Sequence, residues 1–278
     1  MNATVKRTIF GALFLVVMLG GLLFLETLYV ILFAFITGVM LFEFYRITMG
    51  KAWRPLQGSA LVVGVLLFLS ANSYFFGSLQ LKTLICLALF CVFALMLESI
   101  FLKKDRGDFL KTGYIYAGLV YIALPLALSN AVVSRGGEFS GVLMVAFFCI
   151  IWASDIGAYC FGMLIGQKLW PAKMCPSISP KKSWAGFIGG LLMAVLAGAV
   201  ISWTGMVAFP LWHCMIMAAL MHVTGVFGDL FESLWKRAAG IKDSGNLIPG
   251  HGGLLDRFDS SLFAIPTGVV YLILTGLF

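Results

Sequence analysis

Four polar residues of one segment, Asp229, Glu232, Ser233 and Lys236, are spaced i, i+3, i+4 and i+7. A helix through them carries all four on one face. Asp256 and Asp259 repeat the i, i+3 spacing further on. Two helix-borne acidic pairs suit a hard divalent cation, which takes oxygen ligands and keeps part of its water shell. Magnesium is the natural candidate if phosphates complete that shell. Another acid, Asp155, stands inside the apolar run around Trp152. An ionisable group at membrane depth costs about 2.5–3.5 kcal/mol on insertion scales, so such groups usually face a polar interior. The alternative for each is a structural ion pair or a carboxylate that snorkels to the surface. For Glu43 and Glu98, near the ends of their helices, that alternative is favoured.

Bases stand close to these acids along the chain. Ser179-Pro180-Lys181-Lys182-Ser183-Trp184 leads straight into an apolar run. Ser183 reads as a helix N-cap, so free backbone N–H groups and two lysines point to one place, a ready anion site. Ordinary topological charge is the competing account of the lysine pair. Lys236, Arg237, Lys242 and Arg257 add further positive charge. His251-Gly252-Gly253 follows Pro249-Gly250; the glycines permit close backbone approach to a ligand. His251 suits donation to a phosphate or acid–base work, and capping of a helix or bracing of the loop is the alternative. Carboxylate pairs for a metal, cations for phosphates and a glycine turn are the parts of a phosphoryl-transfer site, which works by positioning and charge neutralisation. The chain has no G-x-x-x-x-G-K-[ST] loop, G-x-S-x-G elbow or H-E-x-x-H helix, which argues against the enzyme classes built on them.

The elements that must hold these residues are set by composition. Of 278 residues, 61% are hydrophobic and 11% charged, where a soluble domain carries about 25% charged. A bilayer is the solvent that suits such a chain, and each crossing takes about 20 apolar residues. Nine spans are predicted, near Ile9–Leu25, Leu28–Ile47, Ser59–Phe76, Leu81–Leu102, Tyr114–Val133, Val142–Ile165, Trp184–Thr204, Leu211–Phe227 and Ser261–Phe278. The fold class is therefore an all-α polytopic membrane bundle. The first run lacks a small-x-small cleavage site opening onto polar sequence, so it reads as a membrane helix rather than a signal peptide.

A cytoplasmic N-terminus puts 17 of the 19 Lys and Arg residues on the inner side, Lys82 and Arg135 being the exceptions. The positive-inside rule thus explains the net charge of +7 better than a nucleic-acid partner does. Six cysteines include no C-x-x-C pair and read as packing residues. His213 and His222 lack such polar company in the sequence and read as packing or interfacial residues. Residues 1–140 read as plain membrane helices and 141–278 as a catalytic region with its site at the cytoplasmic face.

The run from Ser233-Leu234-Trp235-Lys236-Arg237 through Lys242-Asp243, Pro249 and His251-Gly252-Gly253 to Asp256-Arg257 and Asp259 spans 27 residues. It closely resembles the signature of the phosphatidate cytidylyltransferases, or CDP-diacylglycerol synthases. The Ser179–Trp184 stretch and Gly228-Asp229 with Glu232-Ser233 look like that family's other shared elements. Trp235 and Ala185 depart from its usual residues, a smaller aliphatic and a polar or acidic one.

The resemblance implies that CTP and phosphatidate give CDP-diacylglycerol and pyrophosphate, with magnesium required and a potassium ion possible beside it. It implies Asp229 and Asp256 as principal metal carboxylates, with Asp259, Glu232 and Asp155 supporting. Asp229, Asp256, His251, Lys236 and Arg257 are then the expected catalytic residues. Ser179, Lys181, Lys182, Ser183, Arg237, Lys242, Gly252 and Gly253 are the expected nucleotide contacts. A homodimer in a bacterial inner membrane is also expected. The rivals are a CTP-dependent polyprenol kinase, which transfers the γ-phosphoryl instead, and a secondary transporter. Clustering of the acids at one face, and the lack of repeated halves, argue against the transporter.

Overall fold

The computed structural model describes residues 3–50, 53–101, 109–167, 169–247 and 252–278. The chain is helical nearly throughout. Helices α1 (Ala3–Leu23), α2 (Glu26–Met49), α3 (Arg54–Phe75) and α4 (Leu81–Phe101) come first. The next span is composite: α5 (Phe109–Gly118), a π-helical turn (Leu119–Ala123) and α6 (Leu124–Val133). The π turn precedes Pro125, which lacks an N–H and crowds the carbonyl four residues back; widening the preceding turn relieves that conflict. A hairpin follows, β1 (Ser134–Arg135) paired antiparallel with β2 (Glu138–Phe139). Its two-residue turn is Gly136-Gly137, both at positive φ, as tight hairpins require.

Then come α7 (Val142–Leu164), the short strands β3 (Lys173–Cys175) and β4 (Ser179–Ser183), α8 (Trp184–Trp203), α9 (Leu211–Ala238), α10 (Leu255–Phe258) and α11 (Ser261–Leu274). Among the described residues, eight helical segments are long and apolar enough to cross a membrane. The first of the nine predicted spans supplies a shorter apolar helix, Thr8–Leu23. Outward-facing side chains are apolar, Trp203 being 87% exposed and Phe101 83%. Such surface is stable only against lipid.

Two compact units make up the chain. The first holds residues 1–140 and 243–257; the second holds 141–242 and 258–278. In the first, few but well-placed polar pairs tie the helices. Tyr29 meets Ser129 at 2.8 Å, the Tyr45 hydroxyl donates to the Ile115 carbonyl at 2.8 Å, and Asn72 donates to Asn130 at 3.2 Å. Each such bond inside a membrane contributes about 0.6 kcal/mol on average. Leu247 and Leu254 line an apolar cavity of about 230 Å³ whose other walls are α1 and α2.

In the second unit α7, α8 and α9 pack tightly. Gly157 faces the Gly189 carbonyl with no room for a side chain, the close backbone approach typical of membrane helices. His222 is buried, bonded through Nδ1 to Ser154 Oγ at 2.7 Å. His213 Nδ1 meets the Tyr271 hydroxyl at 2.8 Å. Both histidines thus have a hydroxyl partner within their own unit.

Candidate active site

In the second unit the polar residues gather where α9 ends and α8 and α11 begin. Helix α9 runs to Ala238, well past the predicted end at Phe227, so Asp229, Glu232, Ser233 and Lys236 do lie on one continuous helix. Lys236 and Arg237 occupy its last turn, where cations oppose the negative end of the helix dipole. Lys236 Nζ is 2.7 Å from Glu232 Oε2, and the Glu232 side chain is wholly buried. Ser233 donates to Asp229 Oδ1 at 3.3 Å.

Ser183 is the N-cap of α8, accepting from the Gly186 N–H at 3.1 Å. It ends β4, which also carries Ser179, Lys181 and Lys182. Here the two lysines part company. Lys182 Nζ lies 2.8 Å from Asp229 Oδ2 and donates to the Val226 carbonyl at 3.3 Å. Lys181 is exposed, as are Arg237 and Lys242.

Asp259 stands at the approach to α11. Its Oδ1 accepts from the Ser260 N–H at 2.6 Å. Gly228 lets α9 come this near, because a Cβ there would sit 2.6 Å from the Asp259 carbonyl oxygen. Asp259 is close enough for its charge to interact with those of Asp229, Glu232 and Asp155. Four acids from α7, α9 and the start of α11 thus share one electrostatic neighbourhood.

The first unit holds the rest of the signature, in the segment Asp243–Arg257. Asp256 Oδ2 accepts from the Ser244 N–H at 3.0 Å and the Gly253 N–H at 2.8 Å. Gly252 adjoins the same carboxylate, and Arg257 is exposed. Asp256, expected as a metal carboxylate, therefore also organises its own loop. His251 lies outside the described residues.

Sequence reasoning missed Glu43. It neither snorkels nor idles: it is 3% exposed. Its Oε1 accepts from the Leu254 N–H at 3.1 Å, and its Oε2 from the Leu255 N–H at 2.9 Å and the Ser244 hydroxyl at 3.1 Å. One turn on, Arg46 Nη2 donates to the Ser244 carbonyl at 3.0 Å. The one available signal was an acid near a helix end in a chain whose glycine turn leaves N–H groups needing acceptors.

The donor set fits magnesium in kind, since it consists of carboxylate oxygens beside cations suited to phosphate. Among the described residues, no three His, Cys, Asp or Glu side chains converge to hold a metal ion.

Residues 5–275 match the model of the cytidylyltransferase family. The chain is 33% identical over 269 residues to a phosphatidate cytidylyltransferase of Staphylococcus saprophyticus, covering 94% of this chain and 95% of that one. It is 32% identical over 265 residues to the Bacillus subtilis protein of the same name, covering 94% of each. A match across both units, at that identity and coverage, means that the chain belongs to the cytidylyltransferase family.

Proposed function

We propose that this protein transfers the cytidylyl group of CTP to phosphatidate, giving CDP-diacylglycerol and pyrophosphate. The observation that carries the reading is full-length similarity to proteins named phosphatidate cytidylyltransferase. The site chemistry supports it. A phosphate oxygen of phosphatidate forms a new bond to the α-phosphorus of CTP, and the bond from that phosphorus to the β-phosphate bridging oxygen breaks. The nucleophile is already anionic, so the work is to bring anions together and to neutralise charge on the leaving pyrophosphate.

Lys182 and Lys236, each held by a carboxylate, would exchange those partners for phosphate oxygens when the triphosphate arrives. Exposed Lys181, Arg237, Lys242 and Arg257 steer it in. Ser179, Ser183 and the Gly252-Gly253 turn are the proposed polar contacts of the nucleotide. On the family resemblance Asp229 and Asp256 would be the principal carboxylates for magnesium, with Asp259, Glu232 and Asp155 supporting and potassium as a second ion. When bound, the metal would supply Lewis-acid polarisation of phosphate oxygens.

We place the protein in a bacterial cytoplasmic membrane with the site facing the cytoplasm. The bacterial relatives and the inside excess of Lys and Arg support that orientation. Homodimer assembly is proposed on the family resemblance.

The test is purified protein in mixed micelles with phosphatidate and CTP labelled in the α-phosphate, with and without magnesium. Label in a CDP-lipid with release of pyrophosphate is expected. Release of CDP with a newly phosphorylated lipid would overturn the reading in favour of γ-phosphoryl transfer.

A further inference from the structure

We propose that Glu43, far from the signature in sequence, is a positioning residue for cytidylyl transfer: it sets the loop that carries Gly252, Gly253 and Asp256. The proposal rests on the cytidylyltransferase reading for its kinetic consequences but not for its structural one.

Two carboxylates divide the backbone groups of one turn between them. Asp256 takes the N–H groups of Ser244 and Gly253. Glu43 takes the next two amides, Leu254 and Leu255, and the Ser244 hydroxyl. Ser244 is therefore held three ways: by its N–H to Asp256, by its hydroxyl to Glu43 and by its carbonyl to Arg46. Burying several N–H groups is tolerable only where acceptors meet them, and Glu43 is the acceptor that α2 provides. Its pull runs along the chain on both sides of the glycine turn, at Ser244 before and at Leu254 after. Moving Glu43 therefore moves the frame in which Asp256 sits. Leu254 and Leu255 are buried as well, so apolar packing fixes the loop's depth while Glu43 fixes its backbone orientation.

The test compares Glu43→Gln, which preserves shape but puts an NH₂ where an acceptor is needed, with Tyr29→Phe. The latter breaks a buried bond to Ser129 in the same unit, remote from the loop in hydrogen bonding. Hydrogen exchange of peptides covering residues 244–257 is measured on the whole protein in detergent, beside kcat, KM and the melting temperature. Glu43→Gln is expected to lose protection at Leu254 and Leu255. Its kcat and kcat/KM should fall together by about 100-fold, the scale of an ångström-level misplacement, with a melting shift no larger than that of Tyr29→Phe. Tyr29→Phe should keep its turnover per folded molecule.

Unchanged protection at these amides, or wild-type kcat in Glu43→Gln, would overturn the proposal; so would an equal loss of turnover in Tyr29→Phe. If Glu43→Gln does not fold, Ser244→Ala decides. It deletes one of the three bonds to Glu43 and leaves the Ser244 N–H in place, so a loss of about tenfold supports the proposal and wild-type turnover overturns it. A wild-type protein that makes no CDP-lipid overturns the assigned function instead, and the exchange measurement then decides on Glu43 alone.

Discussion

Lys182 Nζ sits 2.8 Å from Asp229 Oδ2 and 3.3 Å from the Val226 carbonyl oxygen, so one ammonium ties β4 to the last turns of α9. The neighbouring Lys181 is exposed. Two adjacent lysines with the same charge therefore have different work, and their alanine variants should differ in kind. Lys181→Ala should raise the KM for CTP and leave the magnesium requirement alone. Lys182→Ala should raise the KM for CTP roughly ten- to hundredfold, the value of a charge-assisted bond of about 1.5–3 kcal/mol. It should also lower the half-saturating magnesium concentration, because Asp229 loses its competing cation. Steady-state titrations of CTP and magnesium check both. A raised CTP constant with unaltered magnesium dependence in Lys182→Ala would remove Asp229 from the metal set.

The Glu232–Lys236 pair tests burial. Its side chains are 0% and 12% exposed at an N···O distance of 2.7 Å. Removing one partner strands a charge in a site of low polarity, at a cost of about 3–5 kcal/mol. Lys236→Met and Glu232→Gln should each lower the melting temperature in detergent sharply, and the double variant should recover most of the loss. Additive losses in that cycle would mean that the two residues do not stabilise one another.

Much of this was legible in the sequence, for physical reasons. A bilayer demands long, self-bonded apolar helices, so the spans announce themselves. The i, i+3, i+4, i+7 spacing from Asp229 to Lys236 needed only the helix to continue past Phe227, and it does. Ser183 could be read as an N-cap because capping is local, and it is one. Glu43 could not be read in the same way. Its partners Ser244, Leu254 and Leu255 lie more than 200 residues away, and two of them are backbone groups that carry no sequence signature. The division of labour between Lys181 and Lys182 was hidden for a related reason: alternation along β4 decides which side chain faces α9.

Asp259 shares its surroundings with Asp229, Glu232 and Asp155. Lys182 and Lys236 neutralise part of this charge; the like charges around Asp259 still oppose one another, and a bound divalent ion would offset them. Asp259→Asn should therefore melt at a higher temperature than wild type in the presence of a chelator. Magnesium should raise the wild-type melting temperature clearly, as any ligand of the folded state does, and raise that of the variant much less. Activity should be lost in the same variant, a trade common where a site is tuned for function. A magnesium-induced shift equal in the two proteins would place the ion elsewhere.

The orientation of the helices can be read from two exposed positions that flank a single span. Glu138 lies in the β1–β2 hairpin and Lys173 in β3, and both are exposed. Between them runs α7, 23 residues long. At about 1.5 Å per residue it matches a hydrocarbon core about 30 Å thick. In a cysteine-free background, Glu138→Cys should react with a membrane-impermeant maleimide from outside intact cells. Lys173→Cys should react only after the membrane is opened. The direction follows from charge, since residues 166–183 carry four lysines and positive loops stay inside. Labelling of both positions from the same side would mean that α7 does not cross the membrane, and the reverse pattern would put the lysine-rich face, with the proposed CTP site, away from the cytoplasm.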